Sequence, residues 1–235
     1  MNSKRIAITG AHGVIGAFLV AELSHHGYEI TQLVRASTDI NNYDGLVQAL
    51  AGHAAVIHLA WNSRAEDVHS GQADQDNTRM FSNVYRAALE AKVKRVIMAS
   101  SVHAHGFYNV TPDNLIHPYD LPTPDSPYGA SKVHMEALGR FYATEGLEVI
   151  CIRFGAFGKQ NIPPVVTRRN NPIEKIKRAV WLSRDDCVGL VRKCLEAPSL
   201  PNNYELLYGI SNNSGRVHDI TNHIGWVPHD DANEF

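Results

Sequence analysis

Cysteine is scarce: Cys151, Cys187 and Cys194 are the three in 235 residues, with no C-x-x-C pair among them. Cys187 and Cys194 read onto one helix, where seven positions separate them by about 10 Å along the axis, too far for a disulfide. A disulfide framework is thereby excluded, and a reducing, cytoplasmic setting is expected. No apolar run approaches the roughly 20 residues that span a bilayer, and the N-terminal stretch lacks the apolar core of a signal peptide. Neither sign of charge dominates. The 22 Lys and Arg against 24 Asp and Glu give a formal net charge of −2, with no general attraction to nucleic acid or a membrane surface. Thirteen histidines include no H-x-x-x-H and no Cys/His spacing of a zinc site, so no metal is expected. There is no internal repeat and no low-complexity tract. What remains is an ordinary composition, 44% hydrophobic and 20% charged, sized for one large domain or one domain with a small appendage.

The most informative stretch is residues 4–16, KRIAITGAHGVIG. Ile6, Ala7 and Ile8 read as a fully buried strand of a parallel sheet. Thr9 to Gly16 then gives a T-G-x-x-G-x-x-G spacing, and Val14, Ile15, Phe18, Leu19 and Leu23 continue with a helical period up to Gly27. Strand, glycine turn and helix start make a pyrophosphate site, because the backbone can approach the phosphate and the first helical N–H groups are unpaired.

Residues 28–35 read as a second strand. An acidic residue for ribose hydroxyls is missing at its end, where Val34 and Arg35 stand. Arg35 could pair with a 2′-phosphate, which leans the cofactor toward NADP over NAD. The stretch that follows leaves little room for a full third strand at that edge, so a trimmed sheet is expected. Asp39 could accept from an adenine amine or cap the next helix, an amphipathic segment with Leu46, Val47 and Leu50. Residues 54–60 form another buried strand, with Trp61 to Arg64 at its ligand-binding end. A helix over 72–91 and a strand over 94–99 come next, and Ser101 sits at that strand's end. A Pro-rich polar loop to Pro127 suits a segment over a substrate or a plain surface loop. A helix from Ser126 to about Thr144 points Met135, Leu138 and Phe141 inward. Residues 147–154 and 204–208 are strands, and Ser183 with Asp186 makes a capping box for a helix through Leu195. Ile220, Ile224 and Trp226 dock the polar tail. Residues 168–178 carry five basic residues, a clamp for an anion or a solvated loop.

Tyr128 and Lys132 lie four apart on one helix and project from one face. A free phenol titrates near 10, too high for a base at neutral pH, and a neighbouring ammonium lowers that value. Ser101 could hold the reacting oxygen. These residues define a Tyr/Lys/Ser catalytic set following a glycine turn.

TGAHGVIG, SSV and YGASK, in this order, resemble the extended short-chain dehydrogenase/reductase superfamily, the NAD-dependent epimerase/dehydratase family. ASSVHAHGFY, CIRFG and AVWLSRDDC are similar to the group of uronate dehydrogenases and an archaeal glucose-6-phosphate dehydrogenase. The resemblance implies an α/β fold: a doubly wound parallel sheet (Rossmann) as a single domain over 1–235, with a small C-terminal substrate lobe from 156–182 and 209–235. It implies oxidation of a sugar or sugar acid at its anomeric carbon to a lactone, with Tyr128 as base, Lys132 as its partner and Ser101 as positioner. Dinucleotide contacts would come from Gly10, His12, Gly13, Val14, Ile15, Arg35, Asp39, Ile40, Leu59 and Ala60, together with Tyr128 and Lys132. Substrate contacts would come from Ser63, His103 and Ala156. Two of the group's polar positions are Val102 and Ala156 here, and a site that loses such donors rejects its original ligand. A homodimer through residues 72–91 and 126–144 is implied by analogy. Two other functions compete: a nucleotide-sugar epimerase or dehydratase, for which the stretch after Lys132 is short, and a non-catalytic NADP-binding protein, which would usually lack the Tyr or the Lys.

Overall fold

Alternation along the first strand sets the layers: Ile6 and Ile8 face one core while Ala7 faces the other. The computed structural model describes residues 4–35, 37–62, 71–106, 115–167 and 172–235. Six strands form one sheet: β1 (Arg5–Thr9), β2 (Glu29–Leu33), β3 (Ala55–His58), β4 (Arg95–Ser101), β5 (Glu148–Phe154) and β6 (Tyr204–Gly209). Their order is β2-β1-β3-β4-β5-β6 and every pair is parallel. Among the described residues six α-helices connect them: α1 (Val14–His25), α2 (Tyr43–Leu50), α3 (Gln75–Glu90), α4 (Pro127–Thr144), α5 (Pro172–Ala179) and α6 (Arg184–Glu196). The core on one face takes side chains from α2, α3 and α4, and the core on the other takes them from α1 and α6. This is the doubly wound Rossmann arrangement that the apolar strands imply.

The chain leaves β1 for β2 on one side and returns to β3 on the other. Between β1 and β3 lies the switch point, and the crevice at the strand C-termini there is where open α/β sheets take ligands. β2 forms the sheet edge, in keeping with the trimmed sheet expected from the short stretch after Arg35.

Several local expectations are corrected. Asp39 does not cap α2. Its Oδ1 accepts from Asn41 N, and the cap is Asn42, which accepts from Gly45 N. α3 starts at Gln75 rather than residue 72 because Asp74 caps it, accepting from Asp76 N. Phe141 points outward, 54% exposed, since α4 packs through the stripe of Ser131, Met135, Gly139 and Ala143. The capping box on α6 is half formed. Ser183 accepts from Asp186 N, but the Asp186 carboxylate instead accepts from His229 N and Asp230 N, clamping the C-terminal tail. Residues 172–179 of the basic stretch form a helix rather than a loop. Arg178 is committed there to the main-chain oxygens of Pro164 and Ala232 and to Asn233 Oδ1. Ile224 and Trp226 are buried against the α1/α6 face, as the tail pattern implies.

Candidate active site

The glycine turn packs where only glycine fits. Gly10 has φ +67°, and a Cβ there would sit 2.6 Å from Ala60 N. β1 and the end of β3 thus touch through bare backbone. Thr9 ties the contact together. Its Oγ1 accepts from Leu59 N (3.2 Å) and Ala60 N (3.3 Å) and lies 2.8 Å from His58 Nδ1. With both lone pairs engaged, the hydroxyl donates to Nδ1, so the proton of the neutral ring is on Nε2. Burial pushes His58 down to about 3, with the Lys132 charge adding to it, and Nε2 has no hydrogen-bond partner among the described residues.

The start of α1 differs from those of α2, α3, α4 and α6. Asn42, Asp74, Ser126 and Ser183 cap α2, α3, α4 and α6 with side-chain oxygens. At α1 the N-cap is Gly13, with no side-chain cap and no acidic residue in the first turn. Its N–H groups are unshielded by the protein's own anions, and that suits a bound pyrophosphate.

Two cavities meet over this turn. One, of about 540 Å³, is lined by Gly10, His12, Gly13, Arg35, Asp39, Ile40, Leu59 and Ala60, eight of the sequence-predicted dinucleotide contacts. The other, of about 480 Å³, is lined by Val14, Ile15, Ser101, His103, Tyr128 and Lys132. Gly10, Gly13, Leu59 and Trp61 belong to both. Sharing these walls on either side of the glycine turn, the pair suits a dinucleotide with its pyrophosphate at Gly13.

Within the second cavity the catalytic set is drawn together from two elements. Ser101, at the end of β4, is buried, and its Oγ accepts from His103 N at 3.2 Å. Tyr128 and Lys132 come from the first two turns of α4, which Ser126 caps by accepting from Gly129 N at 3.1 Å. Lys132 is buried; its Nζ donates to Ala99 O at 2.6 Å, lies 3.3 Å above the Trp61 ring and is 5.4 Å from the Tyr128 ring centroid. One turn further on, Glu136 receives both Nε (2.9 Å) and Nη2 (2.8 Å) of the fully buried Arg153, and Ser100 Oγ as well. This buried pair fixes α4 against β4 and β5.

Of the expected substrate contacts, Ser63 lies outside the described residues. His103 lines the catalytic cavity with its ring 5.8 Å from that of Tyr128. Ala156 lies just past the cavity wall at Gly155, with its main chain bonded to Val180 and Leu182. Sequence reasoning put Trp61 at the ligand-binding end of β3 without giving it a role, and it missed Asp125, which carries no signal beyond standing before the helix.

A parallel sheet, a glycine turn at a helix start without a side-chain cap, and a Tyr-x-x-x-Lys pair lining one cavity with a serine match the arrangement expected of a short-chain dehydrogenase. Comparison with known proteins gives the family. Residues 6–177 match the NAD dependent epimerase/dehydratase family. The chain is 35% identical to the L-arabinose 1-dehydrogenase (NAD(P)(+)) of Haloferax volcanii, over 97% of each chain. It is 32% identical to the NAD-dependent glucose-6-phosphate dehydrogenase of the same organism, covering 84% of this chain and 76% of the relative. The crystal structure of uronate dehydrogenase from Agrobacterium tumefaciens superposes with a TM-score of 0.76 at 25% identity, covering 100% of this chain and 88% of the other. This chain belongs to the NAD dependent epimerase/dehydratase family.

Proposed function

We propose that the protein is an NAD(P)-dependent dehydrogenase that oxidises an aldose at the anomeric carbon to a lactone, with a neutral sugar such as L-arabinose favoured over a uronate. One observation carries this reading: Ser101, Tyr128 and Lys132 line the same cavity as the glycine turn. The Tyr128 phenolate, favoured by the buried Lys132 ammonium, takes the proton of the anomeric hydroxyl. Ser101 Oγ already accepts the His103 N–H, so its own proton is directed to the substrate oxygen. A bound NAD(P) would supply the hydride acceptor. The turn at Gly13 to Ile15 would hold its pyrophosphate, Lys132 its nicotinamide ribose, and Arg35 and Asp39 its adenosine end.

The neutral sugar is supported by the L-arabinose relative and by Val102 and Ala156, which remove two polar contacts a uronate would use. NADP is favoured over NAD because Arg35 lines the cavity at the end of β2 and no carboxylate stands at that position to repel a 2′-phosphate. Residues 156–182 and 209–235 would form the substrate lobe. A homodimer would use α3 and α4, where Phe141 is exposed. The setting would be cytoplasmic; no helix among the described residues is long and apolar enough to cross a membrane.

Turnover of L-arabinose, other aldoses and uronates with each dinucleotide tests the reaction. Tyr128→Phe removes the acid–base group and is expected to lower kcat by at least about 100-fold, with dinucleotide affinity retained. Undiminished turnover in that variant would overturn the assignment. Arg35→Ser is expected to raise KM for NADP about tenfold and leave KM for NAD nearly unchanged; an equal effect on both would remove Arg35 from the 2′-phosphate site.

A further inference from the structure

Asp125 has no role in the account above, yet it bonds a neighbour of each half of the proposed catalytic set, His103 beside Ser101 and Ser126 beside Tyr128. Its Oδ2 lies 2.7 Å from His103 Nδ1, and its N–H donates to His103 O at 3.4 Å. Its Oδ1 accepts from Ser126 Oγ at 2.9 Å, and Ser126 Oγ accepts from Gly129 N, capping the helix that carries Tyr128. On the other side His103 N–H reaches Ser101 Oγ. The His103 carbonyl packs so closely on Gly129 that a Cβ there would overlap it. One carboxylate therefore joins the serine end of the site to the tyrosine end, through a histidine that lines the cavity.

Burial alone would raise the Asp125 carboxyl. The hydrogen bonds from His103 and from the Ser126 hydroxyl bring it below its ordinary value. Asp125 is therefore an ionised carboxylate, which can only accept. The proton facing it must sit on His103 Nδ1, and in the neutral ring Nε2 is then the acceptor. An acceptor beside Tyr128 matches a sugar hydroxyl, which donates. It does not match a uronate carboxylate, which offers only lone pairs.

We propose that Asp125 is a positioning residue that holds His103 in the Nδ1–H form, so that Nε2 accepts a hydrogen bond from a hydroxyl of a neutral aldose beside Tyr128. This rests on the dehydrogenase reading and names the chemistry by which its site selects a substrate.

Two measurements on the full chain test it. The ring ¹⁵N shifts of His103 at pH 7.5 report the tautomer without any turnover. Wild type should show the Nδ1–H form, and Asp125→Asn, whose amide can donate as well as accept, should lose it. An Nε2–H ring in wild type, or an unchanged ring in the variant, refutes the proposal. Kinetics with L-arabinose then form a cycle with His103→Phe. Asp125→Asn should lower kcat/KM about tenfold or more alone and less than about twofold in the His103→Phe background. Dinucleotide affinity should hold. A full tenfold loss in both backgrounds means that Asp125 acts on stability or on α4 and not through His103. Ser126→Ala, which removes the cap and the Ser126 hydroxyl's bond to Asp125 Oδ1 but leaves the Asp125 Oδ2–His103 bond, should lower Tm and leave the His103 tautomer in place; loss of the tautomer there would also count against the proposal. Absence of turnover on every sugar would defeat the dehydrogenase reading, while the ¹⁵N result would still decide Asp125.

Discussion

Replacing His218 by Phe is expected to remove a defined share of the protein's acid sensitivity. His218 is fully buried, its ring centroid is 4.5 Å from that of Tyr208, and neither ring nitrogen has a hydrogen-bond partner among the described residues. Burial, with the nearby His105 and Arg153 charges, pushes it from 6.5 down to about 4. The unfolded chain takes up a proton near 6.5, whereas the folded chain takes none until about 4. Stability is therefore complete above 6.5 and falls as pH drops through that window. Each pH unit costs about 1.4 kcal/mol per such group, so His218 accounts for about 2 kcal/mol of loss between pH 7.5 and 5.0. His58, pushed down to about 3, adds a similar share. The phenyl ring keeps the tilted ring contact with Tyr208 and leaves no nitrogen to desolvate, so stability at pH 7.5 should hold or rise. Urea denaturation followed by circular dichroism at the two pH values measures the difference. The variant should lose about 2 kcal/mol less than wild type on acidification, equivalent to about 4–8 °C in Tm for a domain of this size. Equal losses in the two proteins would refute the reasoning.

Arg153→Met leaves Glu136 buried without its counter-charge and should cost about 3–5 kcal/mol in urea denaturation, while the Arg153→Met, Glu136→Leu pair should recover most of it; a double variant no more stable than the single one would contradict this. Cys151, Cys187 and Cys194 are buried thiols, Cys151 pushed up to about 12 by burial, so none should react with a thiol reagent in the native state and all three should react in urea; fast labelling of the folded protein would contradict their packing.

The parts legible in the sequence are those in which neighbours along the chain are also neighbours in space. The glycine turn is one strand, one turn and one helix start. Tyr128 and Lys132 are one helical turn apart, and the strands announce themselves as apolar runs. Polar pairings between distant elements are not legible. Arg153 sits in the apolar run LEVICIRF, and nothing local says that Glu136 on α4 receives it. Asp39, Asn41 and Asn42 are close competitors for the α2 cap, and only backbone geometry selects Asn42. Phe141 fits an inward helical period until the stripe facing the sheet proves to run through Gly139 and Ala143.

The illegible pairs nonetheless follow one logic. Tyr128, Lys132 and Glu136 occupy i, i+4 and i+8 of α4 and form one ladder along its inner side. The first two rungs face the cavity, and the third is anchored to Ser100 and Arg153. Ser100 immediately precedes Ser101, so the carboxylate that fixes the helix also grips the residue next to the proposed catalytic serine. A buried ion pair is a weak source of net stability. Its directional bonds do fix how far α4 can slide or rotate against β4, and the separation of the Tyr128 and Ser101 hydroxyls depends on that setting. An apolar replacement for the pair could match its stability without reproducing that constraint. The Arg153→Met, Glu136→Leu protein should therefore regain its fold more fully than its kcat.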